Sequence, residues 1–326
     1  MPLTLAEAKV GLADKVQQAV IDEFRRGSFI LDRLTFDDAV SAGTGGSTLT
    51  YGYLQLQTPS MAAGRAINSE YTAGEAKKVK KTTDLKIFGG SFEVDRVLEN
   101  SAAQSEITFQ LQQKILATRN KFHYDFINGK STAKGDATSF DGLDTLLTGA
   151  STVYNPDAAI DLSDVDKIDA NYKAFIYALD NWLATMDGKP TALLMNSKMY
   201  STLNYICKKI GQFASSVDAF GRSISTYDGI ALVDMQYYFD GSKTVPCVKI
   251  DDATGTSAIY AATFDLTAVH GVSLKGGSVI NTYLPNMSLP GAVKKGEVEM
   301  VAGLALKNTK KAGVFKNIQI QATAGE

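Results

Sequence analysis

The chain is poor in the residues that mark dedicated chemistry. Of its 326 residues only Cys207 and Cys247 are cysteines, too few for a disulfide framework and without the paired spacing of a zinc site. A reducing compartment is the expected one. Two histidines, His123 and His270, are all that is available for proton transfer near neutral pH, and a structural or surface role is expected for each. There is no excess of charge of either sign: 33 basic against 35 acidic residues leave a net charge of -2. A surface dedicated to coating DNA would need a marked basic excess. No stretch approaches the ~20 apolar residues that cross a bilayer. The start, MPLTLAEAKVGL, has neither the basic residues nor the apolar run of a secretory leader. A soluble chain made inside the cell, with no membrane partner, is the expectation.

What is present is an ordinary globular composition, 44% hydrophobic and 21% charged, long enough for two domains or one composite one. Thr4 and Glu7 form a capping box, and Leu5, Leu12, Val16, Val20 and Phe24 follow at helical spacing. That amphipathic helix needs a partner surface. The run Ser41–Ser47, rich in glycine, reads as a hinge.

From Thr48 to Gln57 apolar residues alternate as Leu49, Tyr51 and Tyr53, then slip in phase to Leu54 and Leu56, as in a strand with a bulge. A second alternating run passes Leu85 and Ile87 to Phe92 and Val94. Between them lies a polar tip from Pro59 to Thr83 that carries Lys77, Lys78, Lys80 and Lys81. Residues 75–86 hold five lysines against two acids, a local balance of +3, with no interleaved aromatics. The pattern predicts a long two-stranded arm, which has little of its own to bury and must lie on something else. A basic tip of this kind is a solvated end, a patch that docks on acidic residues of a neighbouring copy, or a nucleic-acid contact.

Ser101 with Gln104 signals another helix start. Ile107, Leu111, Ile115, Phe122 and Phe126 then share one face, with Gln112, Gln113, Arg119 and Lys121 on the other, until Gly129. This predicts a rod of roughly 40 Å lying on a sheet. Phe140-Asp-Gly142-Leu143 reads as a turn. Ser163 opens a second helix through Val165, Ile168, Tyr172, Phe175, Leu179, Leu183 and Met186. Thr191–Met195 reads as a buried strand, and Asn196 caps a helix that Gly211 closes. Strands at Ile230–Met235, Val245–Ile250 and Ala258–Phe264 complete a compact α/β lobe. The chain finishes in extended structure from Val298 to Leu306 and at Ile318 and Ile320.

Motifs for catalysis are absent or out of context. Gly43-Thr-Gly45-Gly46-Ser-Thr48 lacks the lysine of a phosphate loop. Ser131-Thr-Ala-Lys134 spells an acylase string but follows a helix end and has no companion motif. The aspartates at 157, 161, 164, 166 and 169 lack the calcium-loop pattern. No catalytic residue, cofactor or metal is expected.

The order of elements resembles the HK97-fold major capsid proteins of tailed bacteriophages. Its local carriers are Phe92-Glu-Val94-Asp-Arg96-Val97-Leu98, the helix from Ser101 to Gly129, Phe140-Asp-Gly142-Leu143, Ala258–Phe264 leading to Gly271, and Val301-Ala-Gly303-Leu304-Ala-Leu306-Lys-Asn308. The resemblance implies an α+β fold. Its parts would be an N-arm (1–46), an extended E-loop hairpin (47–95), a P-domain with a long spine helix (96–162), an α/β A-domain (163–280) and P-domain return strands (281–326). It implies a non-enzymatic shell subunit that assembles in the host cytoplasm into hexamers and pentamers, and resides in a virion around double-stranded DNA contacted non-specifically. Scaffold, portal and decoration proteins are the further partners implied, and Lys77, Lys78, Lys80 and Lys81 the inter-subunit contacts. Encapsulin compartments share the fold and are the alternative.

Overall fold

The computed structural model describes residues 28–40, 49–58, 60–101, 105–212, 214–217, 221, 223–274 and 279–322. The helix expected from Leu5 to Phe24 and the hinge expected at 41–47 lie outside them.

Ser28 opens helix α1 (Phe29–Arg33), its Oγ accepting the Leu31 N–H at 3.1 Å. Strand β1 (Phe36–Val40) follows, then the arm of β2 (Thr50–Thr58) and β3 (Lys77–Asp84), which form a two-stranded sheet, and β4 (Lys86–Asp95). This corrects the expected return strand. Residues 86–95 do not pair with β2. Phe88, Phe92 and Val94 on alternate positions of β4 demand a core, and β4 finds it beside β16 (Val293–Leu306), in register from Lys86–Ala302 to Asp95–Val293. The lysine-rich β3 buries only Thr83 and suits a ribbon facing water. Lys77, Lys78, Lys80 and Lys81 therefore stand on a strand, and the tip is residues 60–76, which have no regular structure. The phase slip at Tyr53–Leu54 is also no bulge: β2 alternates regularly, with Tyr53 buried on one face and Leu54 and Leu56 exposed on the other. The register shift comes later, between Leu56 and Thr58.

After the short helix α2 (Arg96–Ser101), the long helix α3 runs Glu106–Asn128, about 35 Å at 1.5 Å per residue. Its cap is Ser105, not Ser101. Ser105 Oγ accepts the Thr108 N–H at 3.2 Å and donates to Glu99 Oε1 at 2.8 Å, while Glu99 Oε2 accepts the Ile107 N–H at 3.1 Å. Leu111, Ile115, Phe122 and Phe126 are buried as their spacing required. Arg119, read as a polar-face position, is buried, and so is His123, for which a structural or surface role is expected, because α1 and the lobe cover that side of the rod.

Helix α4 (Leu143–Leu146) and the short strands β5 (Val153–Tyr154) and β6 (Ile160–Asp161) lead to helix α5 (Val165–Ala184). Asp164 caps α5, its Oδ1 accepting the Lys167 N–H at 2.8 Å, so the expected cap at Ser163 is one residue early. Val165, as the first helical residue, is exposed instead of joining the core face. Then come β7 (Ala192–Met195), α6 (Ser197–Lys209), β8 (Ala214–Val217), β9 (Ser223–Tyr227), β10 (Ile230–Asp234), β11 (Tyr237–Phe239) and β12 (Thr244–Pro246). The strand expected over Val245–Ile250 stops at Pro246, which has no N–H to extend the ladder. Cys247 is held instead by its N–H to Gln236 O at 3.0 Å and by Asn128 Nδ2 donating to its carbonyl at 2.6 Å. Strands β13 (Thr256–Ala262), β14 (Val269–Leu274), β15 (Ile280–Tyr283), β16 and β17 (Ala312–Gln319) complete the chain.

Two sheets organise these elements. In the first, β1-β14-β16-β15 lie in order with β4 also on β16, and α3 covers one face. In the second, β5-β17-β13-β7-β10-β9-β8 lie in order with β6 also on β17, around a core with α5 and α6. After β16 the chain thus leaves the first sheet and β17 enters the second, where Phe315 packs against Tyr154, Phe175 and Trp182 with ring centroids 4.9, 5.9 and 5.7 Å away.

The turn expected at Phe140-Asp-Gly142-Leu143 is where α3 and the following chain meet most closely. The Gly142 N–H donates to Gly129 O at 2.9 Å, and a Cβ on Gly142 would stand 2.5 Å from Asp125 O. Phe140 and Leu143 on either side are fully buried.

Candidate assembly surface

The arm is anchored by one face of its root. Tyr51 Oη donates to Asp37 Oδ2 at 2.8 Å, and Gln55 Nε2 donates to Leu306 O at 2.9 Å. The Tyr51 ring meets His270 edge-on at 5.9 Å, and burial followed by the hydrogen bond to Asp37 pushes the Tyr51 hydroxyl pKa up. Tyr53 closes a small core with Leu85, Val272, Val301 and Ala305. These odd-numbered side chains point to the body because strand residues alternate.

The other face is open. Leu54 and Leu56 are 58% and 59% exposed, more than half their surface in water. Their register partners are Lys80 and Lys78, so the leucines and these two lysines share one face. A Cβ on Gly52 would meet Lys80 Cε at 3.3 Å, which places the Lys80 stem over that face. Lys81 pairs with Tyr53 and lines, with Gln55 and Leu56, a cleft of about 750 Å³ against Leu146, Asp187, Asn308 and Lys310 of the body. Among the described residues none of Lys77, Lys78, Lys80 and Lys81 has a carboxylate at ion-pair distance. Beyond them the tip exposes Met61, Ile67 and Tyr71, with Ile67 91% exposed. The four lysines are thus brought onto one strand but not onto one face.

The first sheet has a face turned away from α3. The arm root covers its half around Val301 and Ala305. The remaining half carries Glu93, Lys295, Glu297 and Glu299, with Lys295 Nζ 2.6 Å from Glu297 Oε1. Opposite Glu299 and Glu297 in register stand Gly89 and Ser91, so the space over β4 holds little side chain. No sequence signal joins Glu93 to Glu299. Only the register of β4 on β16 does.

The other sequence candidates do not assemble into chemistry. Cys207 and Cys247 are buried and unpaired, and burial pushes their thiols up to about 11 and about 12. Among the described residues no group of three His, Cys, Asp or Glu could hold a metal ion. Lys134 of the acylase string forms an exposed ion pair with Asp141 at 3.3 Å. The aspartates leading into α5 cap and pair locally: Asp161 accepts from Ser163 and Lys167, and Asp164 caps the helix. Sequence reasoning missed one buried pair, Ser28 Oγ and His123 Nε2, 2.6 Å apart across 95 residues. Burial, then the Arg119 charge, push the imidazole pKa down to about 3. Among the described residues no carboxylate bonds this ring, and the Ser28 hydroxyl is engaged as a helix cap. Among the described residues no helix is long and apolar enough to cross a membrane.

No family model and no curated protein matches the sequence. Solved structures do match over nearly the whole chain. The holo-SrpI encapsulin complex from Synechococcus elongatus PCC 7942 aligns at a TM-score of 0.56 and 15% identity, covering 91% of this chain and 90% of that one. A structure of Mycobacterium phage Bobi aligns at 0.56 and 12%, covering 91% of each. The capsid of Myoviridae Phage XM1 aligns at 0.53 and 14%, covering 89% and 91%. At such identities the likeness is one of fold. With the arm, the rod on its sheet and the α/β lobe in the expected order, the chain has the HK97-type capsid fold.

Proposed function

We propose that the chain is a shell subunit: the major capsid protein of a tailed-phage head, assembling into hexamers and pentamers around double-stranded DNA in the host cytoplasm. The observation that carries this reading is the arm. It projects a ribbon with exposed leucines and a 17-residue unstructured tip that its own body does not cover. Isolated two-stranded ribbons are marginal in water, and exposed apolar area gains ~25 cal/mol per Å² when buried. A neighbouring copy supplies that burial in a closed shell, where weak contacts repeated by symmetry add up. In this reading Lys77, Lys78, Lys80 and Lys81 form the docking region of the arm. The arm, hairpin, rod and lobe divide as N-arm, E-loop, P-domain and A-domain. Scaffold, portal and decoration proteins are the outside partners, and the interior meets DNA without sequence preference.

Electron microscopy of the expressed chain tests it. Closed particles of uniform diameter are expected. A stable monomer that forms none, even with a scaffold protein supplied, overturns the reading. An encapsulin-type compartment is the second reading, favoured by the SrpI alignment, whose TM-score equals that of the Mycobacterium phage Bobi structure. Nuclease-protected double-stranded DNA in particles purified from the native source supports the phage head, and a co-purifying enzyme without DNA supports the compartment.

A further inference from the structure

We infer that His270 is a proton-sensitive latch beneath the arm: with the ring neutral the arm root lies closed over the first sheet, and a proton taken up in mild acid releases it. The device lies within one subunit and does not rest on the shell reading.

Three observations carry it. The first is the setting of the ring. His270 stands on β14 two residues before Val272, so both side chains point to the face that the arm root covers. The ring is fully buried there, with Tyr51 of the arm edge-on at 5.9 Å. Among the described residues neither of its nitrogens has a hydrogen-bond partner. A buried imidazole left unpaired gains by meeting water, and gains more once it is charged. The second is charge. The charged groups around the ring are Asp37 of β1, Asp265 in the turn before β14, and Lys307 just after β16. Tyr51 Oη already takes Asp37 Oδ2 at 2.8 Å, and Lys307 Nζ lies 5.8 Å from the Tyr51 ring. Burial first, then the Lys307 ammonium, push the imidazole pKa down, against the Ala268 backbone, Asp37 and Asp265. The third is the freedom of the cover. β1 and β16 are laddered to β14, with Phe36 opposite Gly271 and Ala305 opposite His270. Among the described residues β2 and β3 pair only with each other. The arm is therefore held over His270 by side chains: Tyr51 to Asp37, Gln55 to Leu306, and Tyr53 in its small core. Lifting it hydrates the ring and leaves the sheet ladders whole.

Thiol accessibility tests the latch in the full-length chain, held in one oligomeric state at both pH values. Val301 is 6% exposed and packs with Tyr53, so the thiol of V301C meets dithiodipyridine only when the root lifts. G64C, in open space, gives the rate of an exposed thiol at the same pH, and the buried Cys207 and Cys247 report global unfolding. With the root lifted the ring titrates at about 6.5, so the open population rises by up to about thirtyfold between pH 7.5 and 5. The rate of V301C relative to G64C is expected to rise by about tenfold or more, and that of V301C/H270Q by less than about twofold. V301C/H123Q keeps the rise, because His123 is bonded to Ser28 and not to the arm. An equal rise in V301C/H270Q, no rise in V301C, or a rise that Cys207 and Cys247 share overturns the inference. Should H270Q fail to fold, the V301C profile decides: a gain of about eightfold between pH 6 and 5 supports the latch, and one below about twofold overturns it.

Discussion

His123 is buried as a neutral ring, and that makes folding sensitive to mild acid. Ser28 Oγ accepts the Leu31 N–H, so its hydrogen is free for His123 Nε2, and the proton of the neutral ring then sits on Nδ1. A second proton on Nε2 would turn Ser28 Oγ from donor to acceptor and place a charge in a buried site where, among the described residues, no carboxylate bonds the ring. Hence the pKa falls to about 3 from an ordinary value near 6.5. In the unfolded chain the same histidine takes up its proton as pH drops through about 6.5. Above that pH the group costs folding nothing. As pH falls below it, the unfolded state binds the extra proton and stability is lost, at up to about 1.4 kcal/mol per pH unit, until the folded value is reached. Between pH 7.5 and 5 the loss from His123 is about 2 kcal/mol. A midpoint shift of roughly 0.7 M urea follows if m is about 3 kcal/mol/M. His270 is shifted down too, by burial and then by Lys307, and acts in the same direction. These are the only two histidines of the chain. Urea unfolding at pH 7.5 and pH 5, in one oligomeric state, is the assay. His123→Gln keeps an acceptor for Ser28 and should remove about 2 kcal/mol of the pH dependence, whatever it does to stability at pH 7.5. An unchanged pH slope in that variant refutes the argument.

Other outcomes follow from packing and capping. Gly142→Ala puts a methyl group 2.5 Å from Asp125 O and 2.7 Å from Gly129 N. It should cost about 3 kcal/mol or abolish soluble yield. Gly64→Ala, with open space around it, should stay within about 0.5 kcal/mol in the same thermal scan. Asn196 Oδ1 caps α6 at Met199 N (2.9 Å), and its Nδ2 donates to Ser257 Oγ at 2.7 Å, all buried. Asn196→Ala should lower stability by about 2 kcal/mol, read by chemical denaturation. Changing Lys77, Lys78, Lys80 and Lys81 together to Glu should abolish particles seen by electron microscopy while the subunit keeps its circular dichroism.

Much of the element order was legible. The periodic apolar residues of α3 and α5, the cap at Asn196 and the turn at Gly142 declare themselves because each rests on contacts within a few residues. The errors have one character. Residues 86–95 alternate as well as any hairpin strand does, yet Phe88, Phe92 and Val94 pair with a strand 200 residues away, because the core under α3 needs their side chains and the lysine-rich β3 does not. Leu54 and Leu56 looked like a change of phase because an exposed apolar face mimics a bulge when only composition is visible. Ser101 resembled a cap, and Ser105 took the role once Glu99 was in reach of its hydroxyl.

The amino-acid sequence by itself determined the scarcity of catalytic groups, the order of arm, rod and lobe, and the presence of a basic segment, all of which are properties of composition and short-range period. Tertiary structure alone decided that β17 joins a different sheet from β16, that His123 is sealed beside Ser28, and that the lysines divide between the two faces of β3. The reason is physical: propensity and capping act across one turn or one strand, whereas burial and register are settled by whichever distant segment fills the remaining surface.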